Sequence, residues 1–537
     1  MLRKKVIALV MGVLMSCSIV GCGSESSTEA AKTENEAAKT ENVGVESSTE
    51  ASDTEASEER ETLTIWSCWT NSSVVSDPGD NYFFQAIEEA CNVDLEFVNS
   101  AGGKEALSIL TGTGDLPDLI YDWDYNIPDG LQGSLNNGSI IALNDLIDQG
   151  KMPNFTAYLA TDSEADKLIK NDEGLYAWAP MIRKQDAPTV FAGNLIRQDW
   201  LDELGLEMPT TMDEVENVLR AFKEQKGADA ALAFAWGGYN SYAQVYGVCE
   251  DFYIDADGKV KYGFIEDGYK DFLTKFNSWY AEGLIDPDAF TQDIDTFYAK
   301  MATDRNGIVY GFTGSTFGQI EIMKEENPDI NYVAMPYPSL EEGGTFPVDI
   351  SAYRVNNIGI MISSKCEKLD AAARVIDYLY SEEGTMLCNY GQEGVSYEMV
   401  DGEPVLTELV TNDPNGLSIQ NALAFYAGTS NKPHLLERSA AMQTYALDVQ
   451  KDSLEVWATP DAKIKLMPSL SMTAEETEEF NTIMTDISTY VSEMKLRFIM
   501  GTKSIDDFDK FVEDIKSMNI ERAIEIKQAA YDRYLTR

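Results

Sequence analysis

The chain has 537 residues, 44% of them hydrophobic, with 41 Lys and Arg against 91 Asp and Glu and a formal net charge of −50. So acidic a surface repels phosphate backbones and anionic headgroups, which excludes nucleic acid as a partner and direct attraction to an anionic membrane. A body of this size exceeds one hydrophobic core and predicts two domains.

Arg3, Lys4 and Lys5 precede an apolar run from Val6 to Met15. That run has the length of a signal-peptide core and falls short of the roughly 20 residues that span a bilayer. Ile19-Val20-Gly21-Cys22 resembles a bacterial lipobox. The resemblance implies a signal peptide over 1–21, cleavage before Cys22, acylation of Cys22 (palmitate included) and attachment to a membrane through the lipid. Cys17 would leave with the signal peptide; a secretory signal cleaved elsewhere is the alternative. EAAKTEN then occurs twice, at 29–35 and 36–42, in a run of Ser, Thr, Glu and Ala. Residues 22–61 are therefore expected to be a disordered acidic tether, too poor in apolar side chains to offset chain entropy.

From Thr62 onward short apolar runs alternate with helical stretches. LTIW predicts a strand, and Phe83, Ile87 and Ala90 predict one face of a helix. VDLEFV, KEALSILTG and LPDLIYDW then predict strand, helix and strand. This rhythm implies an α/β fold with a largely parallel sheet. In PTTMDEVENVLRAFKEQ, Thr211 and Glu214 form a capping box, and Val215, Val218, Leu219 and Phe222 form one stripe. DFYIDADGKVKYGFIE predicts a hairpin, because Asp255 and Asp257 lack the register of a calcium loop. The C-terminus predicts two helices joined at Asn519, the first capped by Ser504 and striped by Phe508, Phe511, Val512 and Ile515.

Cys68, Cys91, Cys249, Cys366 and Cys388 are odd in number and show no C-x-x-C spacing, which predicts buried free thiols rather than disulfides or zinc. A single histidine, His434, cannot supply a multi-histidine metal centre, and no phosphate-binding G-x-x-x-x-G-K-[ST] loop occurs. No catalytic residue, metal or cofactor is expected.

TGTGDLPDLIYDW, GLYAWAP, LIRQDWLDELGLEMPTTMDEVENVLRAFK, AAARVIDYLYSEEGTMLCNYGQEGVSY and FIMGTKSIDDFDKFVEDIKSM resemble the family-1 extracellular solute-binding proteins of ABC transporters, in their sugar-binding lipoprotein branch. The resemblance implies a type II periplasmic-binding-protein fold: two α/β lobes, a hinge and a ligand cleft between them. One lobe is expected over 62–180 plus about 350–430 and the other over 181–349 plus about 431–537. The chain would cross near Ala179-Pro180 and return near 350–357. The resemblance further implies a carbohydrate ligand, an oligosaccharide over a monosaccharide, with separate permease and ATPase subunits as partners. The protein would be a lipid-anchored monomer on the outer face of a Gram-positive membrane.

Sugar sites need flat aromatic platforms and a few polar groups, and open α/β sheets bind ligand beyond the carboxyl ends of strands. Candidates for ligand contact are therefore Trp69 and Asn71 after the first strand, and Asp122, Trp123 and Asp124 after LPDLIY. Trp178 lies at the first crossing, and Arg197 follows with Asp199. Trp236 and Tyr239 follow ALAFAW, Thr313 follows GIVYGF with Phe312 and Ser315 beside it, and Tyr353 and Arg354 lie at the return. Glu393 lies in a Gly-rich turn with Gln392. Trp66, Trp200, Trp279 and Trp457 are assigned to the core. A peptide or other solute in the same cleft, presentation of ligand to a membrane sensor, and a surface glycoside hydrolase with two carboxylates are the competing functions.

Overall fold

A computed structural model describes residues 60–68, 78–98, 103–235, 237–415 and 417–537. The expected signal peptide, Cys22, residues 22–59 of the expected tether, Trp69, Asn71 and Trp236 lie outside the described residues, whereas Glu61, expected in the tether, begins the first strand. The fold occupies Glu59–Arg537.

The first three strands are β1 (Glu61–Ser67), β2 (Val93–Phe97) and β3 (Leu119–Trp123), with β2 and β3 parallel to β1 on either side. The helix between β1 and β2, Tyr82–Cys91, is capped by Asn81 and buries Phe83, Phe84 and Ile87; Phe84 replaces the expected Ala90 on that face, and Ala90 is exposed. β4 (Ala179–Arg183) begins a second group: β5 (Ala192–Arg197), β6 (Leu232–Ala233), β7 (Phe252–Ile254), β8 (Val260–Tyr262), β9 (Ile308–Phe312), β10 (Tyr332–Ala334) and β11 (Val348–Asp349). The chain then forms β12 (Val355–Ile362), a β13–β14 hairpin (Tyr397–Val400 and Glu403–Leu406), β15 (Leu435–Leu436) and β16 (Ile464–Leu466).

These strands build one six-stranded sheet, β15-β4-β12-β3-β1-β2, and two four-stranded sheets, β10-β5-β9-β6 and β11-β16-β7-β8. The first lobe packs Leu63, Trp66, Phe84, Ile120 and Met361 between the six-stranded sheet and its helices. The second lobe gathers Trp200, Phe222, Phe276, Trp279 and Phe511 in one core and Leu195, Val309, Phe317 and Trp457 in a smaller one. All four tryptophans assigned to the core are buried. The sheet memberships put the first passage between lobes at 184–191, later than Ala179-Pro180, which lies inside β4. The return runs from Asp349 to Val355, and a third passage follows β15.

Local chemistry explains the elements read from sequence. Thr211 and Glu214 make the expected capping box of the helix Met212–Gln225, and its four stripe residues are buried. The acidic DFYIDADGKVKYGFIE stretch forms a β7–β8 hairpin, with Asp255 Oδ1 accepting the amides of Asp257 and Lys259 inside the turn. Cys91, Cys249, Cys366 and Cys388 are buried free thiols and Cys68 is half-buried. The C-terminal helices Phe508–Ser517 and Ile520–Thr536 meet at Asn519, which takes a left-handed conformation. They pack with a 26-residue helix, Ala474–Ile499, that burial of Ile487, Val491, Met494 and Phe498 fixes along one stripe; this helix was not anticipated from the sequence. Among the described residues no helix is long and apolar enough to cross a membrane.

Candidate functional site

Trp123, Arg183 and Phe312 are the last residues of β3, β4 and β9. β12 runs antiparallel to β3 and β4, so its second residue, Asn356, lies at the same edge. The carboxyl edges of the two principal sheets thus meet around one chamber of about 480 Å³, lined by Trp123, Arg183, Phe191, Phe312, Asn356 and Lys432 among others. That is the position in which open α/β sheets take ligands, and the volume suits a small molecule. Gly314 and Gln420 close its rim. A Cβ on Gly314 would lie 2.8 Å from Gln420 Nε2, so glycine permits this approach between the lobes. A second cavity of about 340 Å³ shares Phe191 and Phe312 and continues to Gly238, Asn240 and Tyr337. A third, of about 500 Å³, lies against Asp124, Trp178, Tyr353 and Arg537.

The candidates divide by where the fold puts them. Trp123 lines the main chamber, its ring stacked on Tyr125 at 5.6 Å. Asp122 points inward instead. Its Oδ2 accepts the Trp66 indole at 2.8 Å and its Oδ1 accepts Asn126 Nδ2 at 2.9 Å, so this carboxylate fixes the strand end. Asp124 faces the third cavity, where burial pushes its carboxyl up to about 6. Trp178 reaches that cavity but is 4% exposed and packs on Gly359, where an added Cβ would sit 2.5 Å from the ring. Tyr353 lines it too, its hydroxyl donating to Leu466 O at 2.7 Å.

Four expected contacts are drawn away from the chamber. Arg197 ends β5 at the edge opposite Ala192; its guanidinium forks onto Asp199, reaches Asp304 and lies 4.2 Å from the Trp200 ring. Arg354 is clamped by Asp162, with Nη1–Oδ1 at 2.6 Å. Thr313 is fully buried and donates to Phe191 O at 3.1 Å, leaving its neighbours Phe312 and Gly314 on the lining. Tyr239 turns into the second lobe and accepts Lys495 Nζ at 2.6 Å, while Gly238 and Asn240 on either side face the second cavity. Glu393 is exposed in its turn and lines none of these cavities.

Sequence reasoning missed Arg183, Phe191, Asn356, Asn431 and Lys432, all on the chamber lining. Arg183 carried a usable signal, since it directly follows the apolar APMI run. Lys432 carried none, because it lies in a loop, GTSNKPH, with no periodicity. Burial pushes the Lys432 ammonium down to about 8, lowers Arg183 and holds His434 well below its ordinary value. His434 is therefore neutral, with Nδ1 2.8 Å from Lys432 O.

The family model for bacterial extracellular solute-binding proteins matches residues 72–386. The chain is 23% identical over 488 residues to the fructooligosaccharide ABC transporter substrate-binding protein FusA of Streptococcus pneumoniae serotype 4, covering 85% of this chain and 88% of that one. It is 28% identical over 359 residues to lipoprotein LipO of Bacillus subtilis, covering 62% and 67%. Among solved structures it is similar to the alginate-binding protein AlgQ2, with a TM-score of 0.75 at 23% identity over 88% of this chain and 98% of that one. The two lobes, the chamber at the strand ends and the family match over more than half of the chain agree, and the chain belongs to the bacterial extracellular solute-binding protein family.

Proposed function

We propose that this chain is the substrate-binding component of an ABC importer, which captures an oligosaccharide between its lobes and delivers it to a membrane permease. The observation that carries the reading is the composition of the main chamber. Trp123, Phe191 and Phe312 offer flat apolar faces to sugar C–H surfaces, and Asn356, Gln420 and Asn431 offer donors and acceptors to hydroxyls. Relatives named for fructooligosaccharide and alginate add support. One lobe is built on the six-stranded sheet and the other on the two four-stranded sheets, and 184–191 and 350–354 act as hinge segments that close the lobes over ligand. The body works as a monomer held at the outer face of the membrane by acylated Cys22 and a tether that ends before β1. The permease and ATPase are separate subunits, and the solute leaves chemically unchanged.

Thermal unfolding of the folded body against oligosaccharides, with peptides as controls, tests this. A ligand specific for the folded state stabilises it by about 2.7 kcal/mol at a hundred times its dissociation constant. A raised midpoint with a glycan class, and intact glycan recovered afterwards, is the expected outcome. A rise only with peptides would overturn the substrate class, and cleaved glycan would overturn the transport role. Cys22→Ala should release the protein from membranes.

A further inference from the structure

In this acidic chain the main chamber is lined by no described Asp or Glu, yet it holds two deeply buried cations, Arg183 and Lys432. Arg183 is 7% exposed and Lys432 3%. Among the described residues, the other Arg and Lys residues classed as buried are each neutralised: Arg197 by Asp199 and Asp304, Arg354 by Asp162, and Lys300 by Asp286 and Asp288. Among the described residues Arg183 has no ion pair; its Nη1 donates to Tyr353 O at 3.0 Å and its guanidinium lies 5.4 Å from the Phe191 ring. Among the described residues Lys432 Nζ donates one hydrogen bond, to Thr429 O at 2.8 Å, and lies 5.9 Å from the Phe83 ring; an ammonium has three donors. A buried charge with no counter-charge is costly, and a fold that neutralises the rest but leaves two at one site keeps them for an incoming group.

We infer that the solute is an anion: an oligosaccharide bearing a carboxylate, a uronic-acid residue, set against Arg183 and Lys432. The inference rests on the oligosaccharide reading and narrows it. The guanidinium presents a planar fork that matches a carboxylate in two parallel hydrogen bonds, and the ammonium adds a point charge. Phe191, whose ring centroid lies 5.4 Å from the Arg183 guanidinium, and Trp123 supply the apolar surfaces for the sugar rings. The absence of carboxylates from the described lining removes the repulsion that the rest of this acidic surface would exert.

The test uses the purified protein and a panel of galacturonate, glucuronate and mannuronate oligosaccharides, each beside its carboxyl-reduced counterpart, which keeps the ring and loses the charge. Calorimetry should show an acidic member binding about ten- to hundredfold tighter than its reduced form, the range of a charge-assisted hydrogen bond. Arg183→Met and Lys432→Met should each collapse that ratio. Lys432→Met should at the same time raise the unfolding midpoint of the empty protein, which separates a ligand-binding cation from a structural one. A neutral oligosaccharide bound as tightly as any acidic one would overturn the anion and leave the oligosaccharide reading standing. Binding of peptides with no saccharide bound would overturn both. A Lys432→Met protein that loses stability and keeps the acidic preference would return Lys432 to a structural role and sink the inference.

Discussion

Arg183 and Arg354 are neighbours across the strands that join the lobes; the amide of Arg183 donates to the carbonyl of Arg354 at 2.7 Å, and both residues are buried. Arg354 turns to one side of the ladder. There Asp162 grips its guanidinium, Tyr158 joins at 3.3 Å, and Asp162 also caps the helix Ser163–Ile169. Burial pushes the Asp162 carboxyl up, but Arg354 and the Ala165 amide more than offset it and hold it below the ordinary carboxylate range. Arg183 turns to the other side, into the chamber, and meets a carbonyl and an aromatic face. The same residue type at the same depth is structural in one place and open in the other. The difference lies wholly in whether a carboxylate arrives from elsewhere in the chain.

The largest effect is expected at Arg354. Arg354→Met leaves Asp162 buried without its cation and should cost about 3 kcal/mol of stability in urea unfolding, whereas Arg183→Met should cost little and act on ligand binding instead. Equal losses from the two variants would erase the distinction. Lys432→Met should stabilise the empty protein by about 2 kcal/mol at pH 7, because it removes an uncompensated buried charge. The pH dependence has a defined sign. Burial lowers the folded Lys432 value from 10.5 to about 8, so between those values the unfolded chain holds a proton that the folded chain has released. This group therefore adds stability as pH rises from about 8 to 10.5, and the variant should lack that rise.

Trp123→Ala sharpens the other half of the chamber. It should weaken the oligosaccharide about tenfold by calorimetry, or about 1.4 kcal/mol, and shift the melting of the empty protein little, since the ring is only half-buried. The smallest effect is expected at Asp172, which accepts Arg533 Nε at 2.6 Å and Arg537 Nη2 at 2.6 Å and so ties the C-terminal helix to the first lobe. The network is partly exposed, and Asp172→Asn should cost under about 1 kcal/mol in the same unfolding assay. A loss as large as that from Arg354→Met would mean that exposure does not separate these pairs.

Much of the fold was legible because its signals are local. Thr211 and Glu214 announce a helix start within four residues, and the stripe that follows has no other use. LTIW, VDLEFV and LPDLIYDW gave β1, β2 and β3, and Trp66, Trp200, Trp279 and Trp457 lie in the core as expected. The site was less legible. Of the three residues the strand-end rule named, Trp123 lines the chamber, Asp124 lines the third cavity, and Asp122 points the other way because strand side chains alternate. Glu393 looked functional in a Gly-rich turn, and the turn stands away from the cavities.

The acidic balance, the strand and helix rhythm, the aromatic core and the family resemblance are written in composition or in neighbours a few residues apart. Which charges are satisfied depends on how the chain folds in space. Arg354 finds Asp162 across 192 residues, Arg183 and Lys432 find no carboxylate, and Trp123 and Phe312 line one chamber with the loop residue Lys432 because separate strand ends converge there. Charge neutralisation depends on distance in space, and sequence spacing carries no measure of it.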